Sequence, residues 1–167
     1  TIAEVIGGIF SNSLALLSDA LHNLGDTMAI VIAYIAHLIS KKEYTDKRTF
    51  GYKRIEILAA LFNAIVLVVI VVYLFIEAFQ RIKDPEPIKG MIMFLVALLG
   101  LVANLISVFL LKKDATSNLN VRAAYLHLFG DTISSVVVLL SSVFIYFFNF
   151  YWLDPIITIL LGFYLLK

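Results

Sequence analysis

Two stretches of this chain, Leu21-His22-Asn23-Leu24-Gly25-Asp26-Thr27 and Leu126-His127-Leu128-Phe129-Gly130-Asp131-Thr132, share the pattern Leu-His-x-x-Gly-Asp-Thr. On a helix, residues i and i+4 lie on one face about 6 Å apart along the axis, so the imidazole and carboxylate of each stretch can converge on one ion. Together His22, Asp26, His127 and Asp131 form a nitrogen/oxygen set that suits tetrahedral zinc, at metal–ligand distances of about 2.0–2.2 Å. A lone buried histidine is more often a hydrogen-bonded packing residue. A lone aspartate pairs as readily with a serine or an asparagine. The same pair at the same spacing, twice, argues for a shared task.

The elements that carry these pairs are apolar. Hydrophobic residues make up 62% of the 167 residues and charged residues 15%, against roughly 45–50% and ~25% in an ordinary soluble domain. Mean hydropathy is +0.98. So small a chain cannot hide that much apolar surface in one core, and lipid is the expected solvent. Charge-free runs of about 20 residues mark spanning helices; three stand out, at 57–76, 90–111 and 132–153. A fourth span, 13–40, carries Asp19, His22, Asp26 and His37, and partial spans at 1–10 and 155–166 flank the set. The expected fold is an all-α membrane protein, a six-transmembrane-helix bundle whose first and last helices are truncated. Residues 1–167 form one transmembrane domain.

The first residue, Thr1, lies inside an apolar stretch without a basic n-region, which reads as a fragment rather than a signal peptide. A net charge of +1 argues against a nucleic-acid footprint. Without cysteines, disulfides, thiolate metal sites and iron–sulfur clusters are excluded. Loop charge gives orientation. Lys41, Lys42, Lys47, Arg48, Lys53 and Arg54 follow helix 2, and Lys112, Lys113 and Arg122 follow helix 4; Arg81, Lys83 and Lys89 lie on the other side. Nine basic residues against three place the 2–3 and 4–5 loops, and with six spans both termini, in the cytoplasm.

Each ionisable group at membrane depth costs about 2.5–3.5 kcal/mol by insertion scales, so an unpaired quartet would need either a cation or protons. Ligands lose protons to bind metal, so metal entry and proton release are linked. Gly25 and Gly130 are small enough for helices 2 and 5 to approach closely. Asp19, one turn from His22, reads either as part of an outer access path or as a helix-end acceptor. Asn63 and Asn104 read as interhelical hydrogen-bond partners. Glu56 and Glu77 are expected to pair with bases such as Arg54 or Arg81, and Asp154 before Pro155 reads first as the N-cap of helix 6. His37 suits an interfacial role, and the aromatic stretch 144–152 a membrane-interface belt. Two alternatives stay open: a haem held by His22 and His127, against which the paired carboxylates argue, and a scaffold or sensor that keeps its metal permanently.

Beyond the quartet, several ordered stretches resemble the cation diffusion facilitator family over essentially the whole chain. They are Ser13-Leu14-Ala15-Leu16-Leu17-Ser18-Asp19-Ala20 leading into His22-x-x-x-Asp26, and Phe50-Gly51-Tyr52-Lys53-Arg54-Ile55-Glu56-Ile57-Leu58-Ala59-Ala60. Asn118-Leu119-Asn120-Val121-Arg122-Ala123-Ala124-Tyr125-Leu126-His127 and Trp152-Leu153-Asp154-Pro155 continue the match. The resemblance implies a zinc transporter, not an enzyme: a multi-pass, usually homodimeric exporter that moves zinc out of the cytoplasm against protons. It implies a transport site at His22, Asp26, His127 and Asp131, with cadmium, cobalt, manganese or iron as alternative cargo. A histidine at position 22 looks like the zinc-preferring variant. The loop 112–120 lacks the histidine-rich stretch of many eukaryotic members, pointing to a bacterial inner membrane. The family's C-terminal cytoplasmic domain is absent from these residues.

Overall fold

The computed structural model describes residues 1–40, 54–116 and 119–166. Among them run six α-helices: α1 (Ile2–Ser11), α2 (Leu14–Ser40), α3 (Arg54–Lys83), α4 (Gly90–Lys112), α5 (Leu119–Phe148) and α6 (Leu153–Leu165), with a short 3-10 turn at Asp114–Thr116. This is the expected all-helical bundle with a short first and last helix. Lys41, Lys42, Lys47, Arg48 and Lys53 lie outside the described residues, as do the side chains of His37, Arg54 and Glu56.

Among the described residues, three helices are long and apolar enough to cross a membrane: α3 over Ile57–Lys83, α4 and α5. α2 has the length, 27 residues, but carries Asp19, His22 and Asp26 within it. Helix α5 begins at Leu119 and not near residue 132, because a charge-free window stops at Asp131 whereas the helix continues through it. It ends at Phe148, where Asn149 takes a left-handed φ of 54°, a conformation asparagine tolerates better than most residues.

α2 packs against α1, α3 and α6 and touches α5 over a short stretch, while α4 lies along α5 and α3 against α6. The packed core occupies one end of the bundle. It takes Ala15 and Leu16 from the start of α2, Met93 and Ala97 from the start of α4, Val138 and Ile145 from the far part of α5, and Ile157 and Leu161 from α6. Leu14 of α2 packs with Leu74 and Ala78 of α3 in a second buried cluster. Towards the other end burial falls, and apolar residues such as Ile30, Tyr34, Ile57 and Leu126 are exposed.

Polar bonds tie the same end together. Asn12, at φ 60°, turns α1 into α2, and its side-chain amide donates to Glu86 at 2.8 Å. Arg81 donates to the Asn12 carbonyl at 2.8 Å and to its side-chain oxygen at 3.0 Å, and it pairs with Glu77 at 3.1 Å as expected. Asp154 corrects the sequence reading. It caps α2, not its own helix: its carboxylate accepts from Ser13 Oγ, from the Leu14 N–H at 2.7 Å and from the Ala15 N–H at 3.2 Å. Ser13 Oγ in turn accepts the Leu16 N–H at 3.1 Å. Asp154 lies inside the first turn of α6, whose N-cap, Trp152, makes no side-chain cap bond. The N-termini of α2 and α6 meet at one level, so the carboxylate reaches the free N–H groups and positive dipole end of α2.

Candidate metal site

The i, i+4 spacing sets His22 and Asp26 on one face of α2, and His127 and Asp131 on one face of α5. The two faces meet where the packed end gives way to the open end. His22 Nε2 lies 3.3 Å from Asp26 Oδ2 and 3.4 Å from Asp131 Oδ1. His127 Nε2 lies 2.9 Å from Asp26 Oδ2 and 3.7 Å from Asp131 Oδ2. One donor atom from each of the four falls within 4.8 Å of the others. A tetrahedral ion with bonds of 2.0–2.2 Å needs ligand atoms about 3.3–3.6 Å apart. The nitrogen–oxygen separations straddle that range. The imidazole rings stand edge to face, 5.7 Å between centroids, so neither blocks the space between them.

Exposure falls with depth. Side-chain exposure is 49% at His127 and 33% at Asp26, but 14% at His22 and 3% at Asp131. A cavity of about 390 Å³, bordered by Asn23, Asp26, Thr27, Asn104, His127 and Asp131, leads to the shallow pair from the open end of the bundle. Asp131 Oδ1 is buried and accepts no hydrogen bond within the described protein. Its near neighbour is His22 Nε2, at 3.4 Å. An acceptor left bare in a buried carboxylate is costly and calls for a proton or a cation. What the arrangement can do chemically is hold one small divalent ion between two helices, reached from one side.

Towards the packed end, Asp19 is buried and accepts from Ser135 Oγ at 3.4 Å, and Asn104 Nδ2 donates to the same hydroxyl at 3.0 Å. Asn104 thus joins α4 to α5 as expected, while Asn63 borders a small gap between α2 and α3. Asp19 sits inside the bundle and is not a helix-end acceptor.

The glycines differ from expectation. A Cβ on Gly25 would meet Leu67 of α3, and one on Gly130 would meet the Tyr164 hydroxyl of α6. They admit α3 and α6 and leave the separation of α2 and α5 to the quartet side chains. One cavity residue escaped the sequence reading altogether: Glu4 of α1, buried beside the site. The signal was present, a single carboxylate in an apolar run, but the run is too short to mark as a complete span.

Comparison with known proteins agrees with this architecture. The family model for the cation efflux transmembrane domain matches residues 1–167. The chain is 47% identical over 165 residues to the metal cation efflux system protein CzcD of Cupriavidus metallidurans, covering 99% of this chain and 52% of that protein. It is 42% identical over 167 residues to the zinc transporter ZitB of Escherichia coli, covering 99% and 53%. With the cadmium, cobalt and zinc/H(+)-K(+) antiporter of Bacillus subtilis it shares 40% over 168 residues, covering 99% and 54%. The chain therefore spans about half the length of these relatives. A match across every residue, on an all-helical bundle with apolar spans, makes the chain a member of the cation efflux, or cation diffusion facilitator, family.

Proposed function

We propose that this chain is the membrane portion of an exporter that carries zinc out of the cytoplasm in exchange for protons, with His22, Asp26, His127 and Asp131 as the transport site. The observation that carries the reading is the quartet itself: four nitrogen and oxygen donor atoms within 4.8 Å of one another, bordering a cavity between the helices. The names of the relatives, which speak of zinc, cadmium, cobalt and protons, support the cargo class. Under the positive-inside rule the open end faces the cytoplasm. The cavity is then the route by which metal enters, and the packed end is the barrier that must open for release. We further propose a homodimer in a bacterial inner membrane, and a protein that moves its substrate without covalent chemistry.

Charge balance gives the exchange its logic. Zinc with two carboxylates and two neutral imidazoles is neutral. Two protons on the imidazoles, with both carboxylates ionised, give the same total. Either load reduces the cost of carrying charge through the hydrocarbon, whereas the empty, unprotonated site does not. The close nitrogen–oxygen contacts suit imidazolium donors as well as they suit a shared ion. Metal binds the deprotonated ligands, so apparent zinc affinity is expected to fall as pH drops.

The test is zinc-driven pH change in sealed vesicles, at zero membrane potential and with potassium absent from both sides. Parent protein should move protons counter to zinc, and Asp131→Ala should move neither. Full-rate zinc flux without proton movement would replace the exchanger with a uniporter or channel. Normal zinc flux in Asp131→Ala would remove the site assignment.

A further inference from the structure

Glu4 is the one charged side chain of α1 and is 5% exposed. Its Oε2 accepts from Asn23 Nδ2 at 3.4 Å, a long bond. Its Oε1 occupies the space that a side chain on Gly100 of α4 would fill. The carboxylate thus rests in a notch between α1, α2 and α4. From there it borders the same cavity as Asp26, His127 and Asp131. Among the described residues around that cavity there is no lysine or arginine, so its walls carry three carboxylates and no basic side chain but His127. Placing a carboxylate at this depth is costly, and the side-chain hydrogen bond that Glu4 accepts from Asn23 is long.

We propose that Glu4 is a pathway residue: it draws a divalent cation into the cavity, holds it with part of its water shell, and passes it to the quartet. This rests on the transport reading above. A single carboxylate binds a hydrated ion less tightly than four converging ligands, so the ion moves onward to His127 and Asp26, the exposed half of the quartet. Asn23, the residue after His22, orients the carboxylate through its amide. Charge concentrated in a low-dielectric cleft raises the local cation concentration and the rate of capture, typically by tenfold or more.

A purely structural role would be to accept the Asn23 hydrogen bond and fill the notch at Gly100. Glutamine does both, so Glu4→Gln separates charge from packing. In vesicles loaded with the full-length protein, Glu4→Gln should raise the zinc concentration for half-maximal flux on the order of tenfold, with maximal flux nearly kept. Equilibrium binding should still show one zinc in the quartet. Glu4→Asp should recover part of the loss. Gly100→Ala, which displaces the carboxylate without removing it, should shift half-saturation in the same direction.

Parental half-saturation in Glu4→Gln overturns the proposal, and so does a loss confined to maximal flux. If Glu4→Gln does not fold, Gly100→Ala decides, with parental half-saturation there counting as refutation. Transport that survives Asp131→Ala would remove the quartet reading instead, so the two failures are distinguishable.

Discussion

Replacing His22 by aspartate changes the size and the softness of the site together. An aspartate is shorter than a histidine, so a carboxylate at position 22 leaves a wider space against Asp26 and Asp131, which now lie 3.3 and 3.4 Å from His22 Nε2. A wider, oxygen-richer cage suits a larger ion, and ligand type tunes which metal passes. We expect His22→Asp to keep zinc transport and to raise the cadmium-to-zinc rate ratio several-fold, as the family resemblance also implies. Parallel flux assays with the two metals check this, and an unchanged ratio would contradict it. The quartet should also act as a unit. Replacing both His22 and Asp26 by alanine should be little worse than replacing one, the non-additivity expected of ligands that share an ion.

At the scale of elements, the start of α2 depends on a residue far away in sequence. Asp154→Ala would leave the Leu14 and Ala15 N–H groups and the Ser13 hydroxyl without their buried acceptor. Loss of a cap costs about 0.5–2 kcal/mol and each buried donor left bare adds about 1–3 kcal/mol, so a loss of at least 2 kcal/mol is expected. Asp154→Asn keeps one acceptor oxygen and should lose less. Trp152, the single tryptophan, lies two residues away, and its fluorescence offers the readout. A melting temperature for Asp154→Ala equal to that of the parent would show that the cap does not hold this end together.

For the whole molecule, the asymmetry between a packed end and a less buried end is the mechanical statement. Thr27 borders the cavity, whereas Ser18 lies fully buried on the opposite side of the quartet. The chain has no cysteine, so single substitutions report access cleanly. A water-soluble maleimide should label Thr27→Cys readily and Ser18→Cys at least tenfold more slowly, in keeping with the stability of a packed region against local opening. Zinc with an inward proton gradient should narrow that difference as the bundle visits the opposite state. Equal labelling of both positions without a gradient would show a continuous pore, with which tightly coupled exchange is incompatible.

The helices and the His/Asp pairs were legible in the sequence because both are local. Hydrocarbon thickness demands runs of about 20 apolar residues, and helical pitch alone brings His22 over Asp26 and His127 over Asp131. Family membership was legible too, in ordered stretches from Ser13 to Pro155. What depends on which face of one helix meets which face of another was not. Asp154 was expected to serve α6 and instead serves α2, because the two helix starts share one end of the bundle. Gly25 and Gly130 were expected to bring α2 and α5 together and instead receive Leu67 and Tyr164. Glu4 had no partner in sequence to announce it, since its neighbours Asn23, Gly100 and Asp131 come from three other helices. Spacing along a helix is set by backbone geometry; rotation and depth between helices are set by side-chain packing, and only the tertiary structure decides them.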